Sequence, residues 1–307
     1  MNLKKTRSLL GIVKTIWRCG MSRQRGKLKC KRASGTLGES KPISKTLFRT
    51  ALITGASAGL GAEYARQLAA AGTNLLLVAR RVDRLTSLAA GLVGKYGVTV
   101  ETLSADLNTP EGIERVTSRI SGAETLDLLV NKAGFGGGPG SFAEKDSRDH
   151  LGMVQVHIAA TVQLCRAALP GMIARGRGGV INVASLAAFS PFSGPMYSGT
   201  KAFLVMFSEN LRAELEGKGI VVQALCPGMT HTEFHKTIGM DKSVVPRALW
   251  MTAEKVIRTS LRRLGHGTIC VPGWKNKAIA LLLRFPLTLA GVRAISRLPA
   301  LRKRAGR

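Results

Sequence analysis

Thr50–Gly61 reads TALITGASAGLG, and its second half, Thr54-Gly55-Ala56-Ser57-Ala58-Gly59-Leu60-Gly61, decides the fold. Thr50–Thr54 is a short, largely apolar run. Gly61–Ala71 follows at once as a helix, with Ala65, Leu68 and Ala69 on one face. A strand, a glycine turn and a helix in direct succession open a βαβ unit of a parallel sheet. Glycines permit a tight turn and a close approach of backbone to a phosphate. The helix start then offers free N–H groups and the positive end of its dipole. Gly55, Ser57, Ala58, Gly59, Leu60 and Gly61 are therefore candidate contacts to a dinucleotide pyrophosphate. The competing reading is a plain tight turn.

Outward from this unit the alternation continues. Apolar runs at 74–79, 98–103, 126–131, 179–184, 220–225 and 268–271 read as strands. Segments 82–96, 110–120, 147–175 and 195–217 read as helices, the third interrupted near Pro170. Strands apolar on both faces need helices on both sides. The expected fold is α/β: a Rossmann-type, doubly wound parallel sheet of about seven strands. Residues 50–273 form this domain, between a basic N-terminal extension, 1–49, and a basic, partly amphipathic tail, 274–307.

The second strand ends in Ala79-Arg80-Arg81. A carboxylate there would suit the ribose hydroxyls of NAD. A guanidinium fork suits a 2′-phosphate, which favours NADP over NAD; otherwise both arginines are solvated surface charges. Asp106, followed by Leu107, is placed either to accept from the adenine amine or to cap the helix at Pro110. Asn131-Lys132-Ala133-Gly134 closes the fourth strand, where small residues let the chain pass beside an adenosine. Asn131 can also bridge strands.

Ser185 ends the fifth strand, and Tyr197-Ser198-Gly199-Thr200-Lys201 opens a helix twelve residues later. Tyr197 and Lys201, four apart, share a helical face. A phenol titrates near 10 and is a poor base at neutral pH, and a nearby ammonium favours its ionised form. Tyr197 is then the general acid/base, Lys201 its partner and a ligand of the nicotinamide ribose, and Ser185 the holder of the substrate oxygen. Pro227-Gly228, with Thr230 and Thr232, follows the sixth strand at the carboxyl edge of the sheet, where such folds bind ligands. A strand-ending turn is the simpler alternative. Phe135, Phe142, Phe189, Pro191, Phe192, Met196 and Phe234 lie in the loops above that edge. They point to a hydrophobic ketone, aldehyde or alcohol, an acyl chain or a steroid-like ring, or else fill core and subunit contacts.

Together these motifs resemble the short-chain dehydrogenase/reductase family across about residues 50–235. The resemblance implies a nicotinamide cofactor, hydride transfer on a carbonyl or alcohol, tyrosine as general acid/base, and a homodimer or homotetramer. There are two departures. The family's Asn-Asn-Ala-Gly is here broken by Lys132. The position of the family's catalytic Asn falls on His157, whose imidazole can pass protons through a water to Lys201. These departures keep open a second function class, a cofactor-binding scaffold or sensor with little turnover.

Composition sets the outer limits. Hydrophobic residues make up 45% of the chain and aromatics 5%, the latter too few for a base-stacking nucleic-acid surface. The net charge of +28 is concentrated at the ends. Residues 1–49 hold 14 Lys/Arg against Glu39, and residues 274–307 hold 9 with no acid. Such ends suit peripheral contact with an anionic membrane surface by a cytoplasmic protein, and the tail suits equally a helix that covers the substrate cleft or packs on a partner subunit. A solvated leader, or translation from Met21 or later, are the alternatives for residues 1–49. The apolar stretch Leu9–Trp17 is short and broken by Lys14, and no run reaches the roughly 18 residues of a membrane span. Cys19, Cys30, Cys165, Cys226 and Cys270 form no CxxC pair and read as free thiols, and no metal-ligand spacing appears.

Overall fold

A strand that is apolar on both faces must be covered twice, and the sheet of this protein is built to that demand. The computed structural model describes residues 48–138, 140–190, 193–234, 238–239 and 245–284. The chain begins β1 (Thr50–Thr54), α1 (Gly59–Ala70), β2 (Asn74–Ala79), α2 (Val82–Tyr96), β3 (Val100–Ser104), α3 (Pro110–Ser121) and β4 (Leu126–Asn131). It continues through α4 (Ser147–Val154), a π-helical turn (Gln155–Ala159), α5 (Ala160–Ala174), β5 (Gly178–Val183) and α6 (Pro195–Glu214). It then forms β6 (Ile220–Leu225), β7 (Thr230–His231), β8 (Met251–Thr252), α7 (Ala253–Arg263), β9 (Ile269–Cys270) and α8 (Trp274–Arg284).

Seven parallel strands lie in the order β3-β2-β1-β4-β5-β6-β9. The direction of winding reverses between β1 and β4, so a crevice opens at their carboxyl ends. β7 and β8 form a separate parallel pair. Neighbouring residues alternate between the two faces, as strand geometry requires. Ile53, Leu77 and Val130 face one core with Tyr64 and Val256, beneath α1, α2 and α7. Leu52, Leu76 and Leu129 face the other with Ile113, Leu164 and Met172, beneath α3, α5 and α6. Truncating one such leucine to alanine costs about 2–5 kcal/mol.

Local chemistry explains the boundaries that position the site. Thr109 caps α3 by accepting from the Gly112 N–H at 3.1 Å, with Pro110 in the first turn. The sequence pattern placed the start of β3 at 98; the strand begins at Val100, and Glu101 and Thr102 are exposed because this is an edge strand with one neighbour. Pro170 does not break its helix but sits inside α5. The irregularity comes earlier, at the π turn 155–159, which carries His157 inward. At the ends of the expected domain, Phe48 is already in the core, and Asn276 and Ala280 of α8 are buried against the fold beyond residue 273. The remainder of the two basic ends, 1–47 and 285–307, lies outside the described residues.

Candidate active site

Several elements converge on the carboxyl side of the sheet. β5 delivers Ser185 just past Val183, and α6 delivers Tyr197, Thr200 and Lys201 from its first two turns. The Lys201 ammonium donates to the Val183 carbonyl at 3.0 Å and lies 5.7 Å from the centre of the Tyr197 ring. Ser185 hydrogen-bonds Tyr197 and also accepts from the Ala187 N–H at 3.1 Å. The side chains at 185, 197 and 201 therefore form one cluster, as their spacing implied.

The electrostatics differ from the expectation in one respect. The Tyr197 phenol is not made more acidic here. Burial raises its pKa, and the hydrogen bond with Ser185 opposes that only in part. Burial, reinforced by the Lys132 charge, draws the Lys201 ammonium down to about 7, with Cys226 acting weakly in the other direction.

His157 is buried, and both ring nitrogens are held by protein groups. Nε2 accepts from the Phe135 N–H at 3.1 Å, so the ring proton resides on Nδ1 and is donated to Thr200 Oγ1 at 2.9 Å. Thr200 in turn donates to the Tyr197 carbonyl at 3.2 Å. Burial, then the Lys201 charge, keeps the pKa of His157 well below the ordinary imidazole range. The sequence reading gave this ring a proton-passing role, but here neither nitrogen is left for a water. Gly134 makes the arrangement possible: a Cβ there would stand 2.6 Å from His157 Nε2. Thr200 was passed over in the sequence as spacing between Tyr197 and Lys201, although its hydroxyl connects the two elements.

The turn after β1 has the geometry of a phosphate cradle. Gly55 and Gly59 have positive φ, 64° and 55°. A Cβ on Gly61 would strike the Gly55 carbonyl oxygen at 2.4 Å, so α1 can pack on the turn only with glycine there. Thr54 Oγ1 accepts from the N–H groups of Lys132 and Ala133, at 2.9 and 3.0 Å, tying the β1 turn to the β4 turn. The Lys132 ammonium donates to the carbonyls of Gly55 and Ala58, both at 3.1 Å. Asn131 faces away from the crevice; its Nδ2 donates to Asn182 Oδ1 at 2.9 Å, linking β4 to β5.

At the far end of the crevice Arg81 donates to Ser57 Oγ through Nε and Nη2, at 3.3 and 3.1 Å. Arg80 pairs with Asp106 at 3.7 Å. Asp106 caps no helix; its Oδ1 accepts from the Asn108 N–H at 3.0 Å, and Leu107 beside it is buried. Two residues unmarked in the sequence join this end: Glu233, from just past β7, pairs with Arg84 at 3.0 Å and Arg81 at 3.7 Å. Arg80, Arg81 and Ser57 could hold a 2′-phosphate, and the 55–61 turn a diphosphate.

The 226–232 segment closes the other wall. The Pro227 carbonyl accepts from the Leu186 N–H at 2.8 Å, and Gly228 leaves space for the buried Asn276. Thr230 is buried and donates to the Gly228 carbonyl at 3.0 Å, while Thr232 packs on Gly59. The apolar rim is partly gathered. Phe135 lies 5.8 Å from the His157 ring and Phe234 lies 5.9 Å from the Tyr197 ring. Met196 is half-buried beside Tyr197, and Phe189 packs on the cluster around Leu204. Phe142 stacks on His150, 4.5 Å between ring centres. Pro191 and Phe192 lie outside the described residues.

Fold and site together define a nucleotide-binding oxidoreductase scaffold, and the comparisons specify it. A family model described as short chain dehydrogenase matches residues 49–243, and the chain belongs to this family. Among its relatives is a very-long-chain 3-oxoacyl-CoA reductase of Phaeosphaeria nodorum, 35% identical over 70% of this chain and 63% of the relative. A second, from Danio rerio, is 31% identical over 73% of this chain and 71% of the relative. The chain thus spans under two thirds of the fungal relative's length. A solved short-chain dehydrogenase from Sphingobium yanoikuyae, in complex with NADPH, is 32% identical, with a TM-score of 0.71 over 82% of this chain and 96% of that one.

Proposed function

We propose that this protein reduces the carbonyl group of a hydrophobic substrate with NADPH, with Tyr197 as the proton donor. The observation that carries the reading is the cluster of Ser185, Tyr197 and Lys201 in the same crevice as the Gly55–Gly61 turn. The Arg81–Ser57 pair supports a phosphorylated ribose over a plain one. The structural relatives solved with NADPH, from Sphingobium yanoikuyae and the L-sorbose reductase of Gluconobacter frateurii, support the same cofactor.

NADPH, when bound, supplies the hydride that reaches the carbonyl carbon. Ser185 and Tyr197 hold the carbonyl oxygen between two hydroxyls, and Tyr197 passes its phenolic proton to that oxygen as the alcohol forms. A phenol raised by burial is fully protonated at neutral pH, which suits a proton donor and hence the reducing direction. Lys201 holds the nicotinamide ribose and restores charge balance near the phenolate left behind. His157 and Thr200 are positioning residues that fix the first turn of α6 against the β4 loop. Asp106 and Leu107 would hold the adenine, and Pro227, Gly228, Thr230 and Thr232 the nicotinamide half.

For the substrate, the apolar groups around Tyr197, among them Phe135, Met196 and Phe234, favour a long acyl chain, and two relatives named above are 3-oxoacyl-CoA reductases. A cytoplasmic location is part of this proposal. The exposed Trp274, Leu281 and Leu282 of α8, interleaved with Lys275 and Lys277, suit contact with a membrane surface. A homodimer or homotetramer is expected. The test is NADPH oxidation by the purified protein against 3-oxoacyl-CoA thioesters of increasing chain length, with sorbose and sulfoacetaldehyde as polar controls. Turnover should rise with chain length and be faster with NADPH than with NADH. Binding of NADPH without turnover of any carbonyl would instead establish the scaffold reading.

A further inference from the structure

Lys132 stands where the family motif has asparagine, and its surroundings are unusual for a lysine. The residue is half-buried, and its ammonium is drawn from water onto two carbonyl oxygens of the glycine turn, those of Gly55 and Ala58. Both partners are neutral. Glu233, the acid that acts on it at longer range, is already paired with Arg84 and Arg81. Arg81 opposes its charge, and Lys132 in turn lowers the pKa of Lys201. A desolvated cation beside another cation is costly unless an anion comes close in the working state.

The location names the anion. Gly55 and Ala58 belong to the glycine turn read above as the diphosphate cradle, and their carbonyls accept from Lys132. We propose that Lys132 is a diphosphate-binding element of the cofactor site: it locks the back of the glycine turn and supplies a positive charge from beneath it. The inference rests on the dinucleotide reading above and adds a residue to it. Burial, with Arg81 adding to it, brings this ammonium down to about 8, so the charge it offers is present at neutral pH and fades above pH 8.

The experiment compares ADP, which carries a diphosphate but no nicotinamide or 2′-phosphate, with 2′-AMP, which has no diphosphate. Binding of each, and of NADPH, is measured by calorimetry for the wild type, Lys132→Asn and Lys132→Met. The asparagine variant restores the family residue and guards against misfolding. ADP and NADPH should bind about tenfold or more weakly to both variants, since a charge-assisted contact is lost. 2′-AMP should bind as it does to the wild type. Wild-type affinity for ADP should also fall as pH rises from 7.5 to 9.5, and this slope should flatten in both variants, which a purely structural role would not produce. Unchanged ADP binding, or equal losses for ADP and 2′-AMP, would overturn the role of Lys132 while leaving the reductase reading intact. A wild type that bound neither ADP nor NADPH would overturn both.

Discussion

The two ends of the crevice use charge in opposite ways. At the adenosine end the charged side chains are in water: Arg80 is 72% exposed, Arg81 45% and Glu233 55%. Ion pairs this exposed contribute little and exchange partners readily, so a phosphate can take the place of Glu233 or Asp106. At the catalytic end, His157 and Lys201 are 1% and 5% exposed, and each is held by hydrogen bonds to neighbouring groups. Burial there shifts pKa values and fixes positions. One end recognises by substitution of partners, and the other acts through groups whose protonation is set before any ligand arrives.

The largest expected effect is at the buried end. Lys201→Met should lower kcat by about a hundredfold or more, the scale of a general acid–base contribution, while the protein stays folded because a buried amine has been removed. Activity within threefold of wild type would mean that the phenol works without its neighbour. At the exposed end Arg81→Ala should weaken NADPH binding by about tenfold or more and leave NADH binding unchanged. Equal losses for both cofactors would remove the 2′-phosphate assignment and, with it, half of the contrast.

Gly134→Ala tests how tightly the buried end is built. Its methyl group would stand 2.6 Å from His157 Nε2, so the variant should lose about 1–3 kcal/mol of stability, read from denaturant unfolding. A variant as stable as wild type would mean that the His157 ring can move aside.

The smallest effect is in pH. Lys201 is lowered to about 7 when folded, whereas an unfolded lysine titrates near 10.4, so the unfolded chain binds more protons in between. Stability of the protein without cofactor should therefore rise from pH 7 to pH 8. Above that range Cys165, raised to about 12 by burial, works against the fold as unfolded thiols ionise. Chemical denaturation at pH 7 and 8 checks the rise, which should shrink in Lys201→Met; a fall over that interval would contradict the assignment of a desolvated ammonium.

Much of the sheet was legible because its strands are buried on both faces. β1, β2, β4 and β6 begin and end where their apolar runs do. β3 was misjudged because an edge strand is half polar, and its hydrogen-bonding neighbour, not its hydrophobicity, sets its limits. Tyr197, Lys201 and Ser185 could be placed together because helix spacing and a strand end fix them locally. The bond from His157 to Thr200 could not, since it joins residues 43 apart through a π turn that carries no sequence mark. Glu233 on Arg84 was equally hidden, 149 residues away in the chain. The sign of the Tyr197 shift was missed for a physical reason: sequence spacing reports that an ammonium is near, but not how deeply the phenol itself is buried.

The central claim is that the Tyr197 hydroxyl delivers the proton in carbonyl reduction. The direct measurement is Tyr197→Phe with NADPH affinity and single-turnover hydride transfer followed in the same preparation. NADPH should bind as in the wild type, and the rate of NADPH oxidation with a 3-oxoacyl thioester should fall about a hundredfold or more. Undiminished oxidation by a phenylalanine at 197, with the cofactor bound normally, would contradict it.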